Sequence, residues 1–223
     1  MFDGIAARYD LLNRIMSLGA DQRWRRLSVL ALRLPSTPTR VLDLATGTAD
    51  LAIRVAQVHA GTTVVGIDPS GGMLEVARRK VAVAGLSQRI HLLRGAAESL
   101  PLRDQIVDGV TMAFGIRNVA DRRQGLAETS RVTRSSGRVV ILELSEPQGA
   151  LGLLARFHIR RLVPRLGAML SGMREYRYLQ ESIAAFPRPV EFSELMRRAA
   201  LHVQEIRALA LGACHLYVAR PAR

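Results

Sequence analysis

Cysteine occurs once, at Cys214, in a chain of 223 residues, so no intramolecular disulfide can form and a reducing, intracellular compartment is expected. A single cysteine of this kind reads as a small buried hydrophobe and not as a nucleophile. Lysine is equally scarce: Lys80 is the one lysine among 32 basic residues, and the others are arginine. Aromatic residues make up 4% of the chain, which leaves few rings on which nucleic-acid bases could stack. No apolar run reaches the ~18 residues expected of a spanning helix, and Asp3, Arg8 and Asp10 stand where a signal peptide would carry its apolar core. A soluble or peripheral protein is expected. Histidines 59, 91, 158, 202 and 215 are scattered without metal-ligand spacing, so no metal is expected.

Hydrophobic residues make up 48%, enough for one α/β domain with a substantial core over residues 1–223. The net charge is +13, and arginine is the side chain best suited to phosphate groups. A compositional bias explains arginine over lysine. The excess charge still attracts anionic surfaces, whether membrane or RNA.

The stretch Arg40-Val-Leu-Asp43-Leu-Ala45-Thr-Gly47-Thr48-Ala49-Asp50 joins a short apolar run ending in an acid to a turn of small residues. Helical spacing follows over 49–58, so the pattern is strand, tight turn, helix. Such a turn brings backbone N–H groups and a helix N-terminus close to a ligand at the strand's carboxyl end. A second unit repeats it: Thr62 to Ile67 ends at Asp68, 25 residues after Asp43, and leads through Pro69-Ser70-Gly71-Gly72 into a helix over 73–84. An acid at that place suits two ribose hydroxyls, in NAD enzymes and in S-adenosylmethionine (SAM) methyltransferases alike. A dinucleotide needs a G-x-G-x-x-G cradle for its pyrophosphate. This turn instead presents Asp50 where phosphate would arrive, which disfavours NAD and suits a ligand carrying an amino acid and a sulfonium.

Residues 1–34 read as helices forming a cap, with Trp24 among Arg23, Arg25 and Arg26 as an interfacial anchor or an ordinary helix surface. Strands are expected over 89–94, 106–114 and 137–144, a helix over 121–134 with Asp121 near its N-cap, a helix over 190–200, and closing strands over 202–210 and 212–219. In the expected sheet order 3-2-1-4-5, the turn after strand 3 touches an adenine, and Arg117 and Asn118 leave strand 4 at the carboxyl edge beside strand 1. Residues 145–188 break the rhythm: 148–173 is apolar with interleaved arginines, a lid or a membrane-surface segment.

The runs Phe114-Gly115-Ile116-Arg117-Asn118-Val119 and Tyr176-x-Tyr178-Leu179-x-x-Ser182-Ile183 are far more specific than the generic turn. With Arg8-Tyr9-Asp10, Trp24-Arg25, Asp68-x-Ser70-x-x-Met73-Leu74 and Glu143-x-Ser145-x-Pro147, they give a resemblance over nearly the whole chain. The chain resembles the ubiquinone/menaquinone C-methyltransferases, SAM-dependent enzymes that methylate a ring carbon of a polyprenylated quinol. The resemblance implies a class I methyltransferase fold, Rossmann-like and doubly wound, mostly parallel with an antiparallel last strand in the order 3-2-1-4-5-7-6. It also implies SAM as cofactor, a lipophilic quinol substrate, the cytoplasmic face of a membrane, and a homodimer or a complex with other quinone-pathway enzymes.

Asp68 is then expected on the ribose hydroxyls, Gly47 and Thr48 on the methionine moiety, and the backbone of Ala96 and Ala97 against adenine. Asp43 is expected to accept from the amino group through water. Relatives carry glycine where Ala49 stands, Asp or Asn where Ala96 stands, and in some cases serine where Ala113 stands; the loss at Ala96 is worth about 0.5–1.5 kcal/mol. Methyl transfer to carbon needs an electron-rich ring, and holding a phenol of pKa about 10 as phenolate at pH 7 needs roughly 4 kcal/mol of differential stabilisation. Arg117 is the candidate for that charge and Asn118 for orienting the ring oxygen, with Asp10, Tyr9, Tyr176, Tyr178 or water as proton acceptors. In the bland alternative Arg117 merely pairs with Asp121 or Asp10. Two other functions compete: a catalytically weak or silent paralogue serving as a quinone-pathway binding subunit, and an RNA methyltransferase. The quinol-type runs and the scarce aromatics disfavour RNA.

Overall fold

The computed structural model describes residues 10, 13–14, 17–147 and 173–222; for residues 173–176 the backbone alone is described. Helix α1 (Ala20–Leu32) precedes strand β1 (Thr39–Leu44). Helix α2 (Asp50–Val58), strand β2 (Thr62–Asp68), helix α3 (Gly71–Val83) and strand β3 (Ile90–Arg94) complete the first half. Strand β4 (Val107–Ala113), a 3₁₀ turn (Ile116–Asn118), helix α4 (Arg122–Val132) and strand β5 (Thr133–Leu144) follow. Helices α5 (Met173–Ala184) and α6 (Pro189–Arg198) lead to strands β6 (Leu201–Leu209) and β7 (Cys214–Pro221).

The seven strands form one sheet in the order β3-β2-β1-β4-β5-β7-β6, with β7 antiparallel to both neighbours. The central strands are apolar on both faces because helices cover both. Trp24, Val29, Leu32, Val55 and Ala77 pack α1, α2 and α3 on one side; Leu126, Phe192, Met196 and Tyr217 pack α4 and α6 on the other. β1 lies between β2 and β4, the place where the strand order reverses, and this opens a crevice at the strands' carboxyl ends. Ser70 caps α3 by accepting from the Met73 N–H at 3.1 Å, and Asp121 caps α4 by accepting from the Gln124 N–H at 2.9 Å.

Three local expectations shift. β5 starts at Thr133 and not at 137, because its pairing with β4 jumps from Val107↔Thr133 to Gly109↔Arg138, an irregularity that absorbs Arg134 to Gly137 into the strand. The closing strands lie one or two residues away from their expected bounds. Trp24 is neither an interfacial anchor nor a surface residue: it is buried, edge-on to Phe114 at 6.4 Å between ring centroids. Part of the expected cap and lid, residues 1–9, 11–12, 15–16 and 148–172, lies outside the described residues. No helix among the described residues is long and apolar enough to cross a membrane.

Candidate active site

The turn from β1 to α2 is built on left-handed backbone: Ala45, Gly47 and Ala49 have φ of 53°, 56° and 67°. Asp43 holds it from beneath. Its carboxylate accepts from the hydroxyls of Thr46 at 2.6 Å and Thr111 at 2.7 Å and is fully buried. Burial pushes the Asp43 carboxyl up from its ordinary 3.8 to about 6, outweighing the two hydroxyl donors and the opposing charge of Arg25. Asp68 ties the two crossover turns together, accepting from the Gly47 N–H at 2.8 Å and the Ser70 N–H at 2.9 Å. Those bonds orient both oxygens.

An open cleft of about 300 Å³ runs along this edge, lined by Gly47, Asp68, Ala96, Ala97, Ala113 and Asn118 among others. It continues into a smaller polar pocket of about 20 Å³ lined by Arg25, Asp43, Thr46, Thr48 and Asp50. Ala45, Gly47 and Ala113 belong to both. All seven residues expected at the cofactor therefore line one continuous surface. Glu98 also lines the cleft, and its Oε1 accepts from the N–H groups of Ala120 at 3.1 Å and Asp121 at 3.3 Å.

At the far wall β4 ends in Phe114, with φ of 59°, and Gly115, where an added Cβ would overlap that of Ala45. The chain then turns so that Asn118 faces the cleft while Arg117 points behind it. Arg117 pairs with Glu143 through Nη1 and Oε1 at 2.6 Å, with side chains 6% and 0% exposed, and also donates to the Phe114 carbonyl at 2.8 Å. Glu143 further accepts from the Arg117 N–H at 3.1 Å and the Leu144 N–H at 2.8 Å. Neither Asp121 nor Asp10 is the ion-pair partner. The Asn118 amide accepts from the Tyr178 hydroxyl at 3.0 Å, so these two expected residues meet across the cleft edge.

Asp10 goes elsewhere. It accepts from Thr48 at 2.6 Å and from Lys80 at 2.6 Å, and Lys80 also bonds Asp50, so the chain's one lysine ties the N-terminal segment to the cofactor-side turn. Tyr9 and the side chain of Tyr176 lie outside the described residues. Sequence reasoning missed Glu143, Arg25 and Lys80. Each carried a signal: an acid inside the apolar run GRVVILEL, an arginine beside the sole tryptophan, and a lone lysine. Among the described residues no group of three or more His, Cys, Asp or Glu is arranged to hold a metal.

The profile of the ubiE/COQ5 methyltransferase family matches residues 1–220. The chain is 46% identical over 219 residues to the demethylmenaquinone methyltransferase of Thermus thermophilus, a match covering 97% of this chain and 98% of that one. The chain belongs to the ubiE/COQ5 methyltransferase family. It is also 40% identical over 219 residues to the ubiquinone/menaquinone biosynthesis C-methyltransferase UbiE of Geotalea daltonii, covering 97% of this chain and 93% of that one. A methyltransferase solved in complex with the Haloferax volcanii Trm112 activator shares the fold, with a TM-score of 0.75 at 17% identity over 100% of this chain and 98% of that one.

SAM is accordingly the cofactor of this ubiE/COQ5 methyltransferase, and the site fits it. Asp68 lines the cleft with both carboxylate oxygens oriented by backbone N–H groups, and a buried guanidinium stands in the polar pocket beyond the small-residue turn. When bound, SAM supplies an electrophilic methyl group on a sulfonium.

Proposed function

We propose that this chain methylates a ring carbon of a prenylated demethylnaphthoquinol to give the menaquinol, with the corresponding benzoquinol as a second substrate. The higher identity to a relative named for demethylmenaquinone supports the order of the two. The observation that carries the reading is one cleft lined both by Asp68 and by Asn118, whose amide oxygen accepts from the Tyr178 hydroxyl.

Asp68 holds the ribose hydroxyls, and Gly47, Thr48 and the polar pocket hold the amino-acid end. Ala96 and Ala97 pack on adenine, with van der Waals contact in place of a side-chain acceptor at 96. Asn118 orients a ring oxygen, and its bond from Tyr178 fixes the amide's direction. Arg117 contributes positive charge from behind Asn118, reduced by its pairing with Glu143, so the amide and the turn dipoles supply part of the roughly 4 kcal/mol the phenolate needs. Tyr178, Tyr176, Tyr9 or water then takes the ring proton. Asp10, already held by Lys80 and Thr48, acts in positioning the N-terminal segment over the turn. The excess charge of +13 supports contact with an anionic membrane surface, where a prenylated substrate resides.

Incubating the protein with methyl-labelled SAM and demethylnaphthoquinol or demethylbenzoquinol in detergent micelles tests this. Labelled product from the naphthoquinol, lost in Asp68→Ala, is expected. A protein that binds SAM and labels neither quinol would refute the substrate assignment.

A further inference from the structure

Arg25 is set apart from the other buried charges around the site. Its side chain is 8% exposed and lines the small polar pocket with Asp43, Thr46, Thr48 and Asp50. Among the described residues its guanidinium donates no hydrogen bond, and Nε is fully buried without one. Its nearest acid, Asp21, stays at 3.7 Å from Nε, outside hydrogen-bond reach, and is itself engaged by Ser17 at 3.0 Å and Gln22 at 3.1 Å. The Phe114 ring lies under the guanidinium at 5.3 Å, and Trp24 backs that ring edge-on. The group is therefore held in place from one side and left open on the other.

The acids across the pocket have donors already. Asp43 is held by two threonine hydroxyls, Asp50 by Lys80, and Thr48 donates to Asp10. Each carboxylate still has lone pairs to spare, whereas the guanidinium has unused donors. A buried guanidinium without hydrogen bonds is costly unless a ligand completes it. The matching ligand carries an anion and a cation a few bonds apart, and the amino-acid end of the cofactor is such a zwitterion. The pocket adjoins the cleft through Ala45, Gly47 and Ala113, on the side of the turn away from Ala96 and Ala97.

We propose that Arg25 receives the α-carboxylate of the cofactor, while Asp43 and Asp50 face its ammonium group. The inference rests on the SAM reading of the cleft and extends it to α1, an element before the first strand that no motif assigns to cofactor binding. Asp21 and Phe114 act as the supports that keep the guanidinium aimed.

The test is isothermal titration of wild type, Arg25→Met and Arg25→Lys with S-adenosylhomocysteine and with its decarboxylated analogue, which keeps adenosine, thioether and ammonium. Wild type is expected to prefer S-adenosylhomocysteine by roughly 10- to 100-fold, the range of a charge-assisted hydrogen bond. Arg25→Met should remove that preference while binding the analogue as well as wild type does or better, because a repelling charge is gone. Arg25→Lys should keep part of the preference. An Arg25→Met protein that keeps the preference, or that weakens both ligands equally, would overturn the proposal and leave Arg25 a structural counter-charge to Asp43. Equal wild-type affinity for both ligands would overturn it without any variant having to fold. Wild type binding neither would overturn the cofactor reading along with it.

Discussion

Two walls of the cleft meet at Phe114, and each buries an arginine. On the β5 side Arg117 has a close counter-charge: its Nη1 donates to Glu143 at 2.6 Å and to the Phe114 carbonyl at 2.8 Å, although its Nε is buried without a hydrogen bond. On the α1 side Arg25 has a ring face at 5.3 Å and an acid at 3.7 Å, and it donates no hydrogen bond among the described residues. The paired group shapes the turn that presents Asn118. The one without a hydrogen-bonded acid is available to a ligand. Burial alone therefore does not tell a framework charge from a receptor; a hydrogen-bonded counter-charge, present for Arg117 and missing for Arg25 among the described residues, does.

The comparison breaks most visibly at Glu143. Glu143→Gln leaves the buried Arg117 without its counter-charge, and stability should fall by about 3–5 kcal/mol, lowering Tm by roughly 10 °C in scanning calorimetry. Arg117→Met combined with Glu143→Met should recover most of that loss. A single variant as stable as wild type would show that the pair contributes nothing to the framework.

Asp43 sharpens the contrast from the cofactor side. Its folded pKa of about 6 lies above its ordinary 3.8, so the folded chain holds the proton more tightly. The stability Asp43 contributes is complete below about pH 4 and is lost as pH rises through about 6, a change on the order of 3 kcal/mol. Wild type minus Asp43→Asn, followed by urea unfolding across that window, should decline accordingly. A difference independent of pH would mean that the hydroxyls of Thr46 and Thr111 cancel the cost of burial.

The smallest effect is expected at Ala49, whose φ of 67° favours glycine. Ala49→Gly should raise stability by about 1 kcal/mol, seen as a Tm increase of a few degrees. A decrease would mean that burying the methyl group outweighs the backbone strain.

The cofactor half was readable because its signals are local. An apolar run ending in an acid, then small residues, then helical spacing, places Asp43 and Asp68 at strand ends without knowledge of the rest of the fold. Gly47, Thr48, Ala96 and Ala97 follow from position in the strand order together with the family resemblance, and Ala113 from the resemblance alone; all line the same surface. The reactive half was readable in part. Asn118 and Tyr178, 60 residues apart, were both named, but their direct hydrogen bond was not foreseen.

The sequence by itself determined the alternation of strands and helices, the acids that end β1 and β2, and the family-specific runs, because each depends on neighbours a few residues away. Tertiary structure alone decided the partners of the charges. Arg117 meets Glu143 across 26 residues and Lys80 meets Asp10 across 70, contacts set by sheet order and helix packing. It also decided that Arg25, one arginine among three around Trp24, turns inward while its guanidinium keeps its donors unspent. Burial and hydrogen-bond satisfaction are properties of the packed molecule, and no local pattern encodes them.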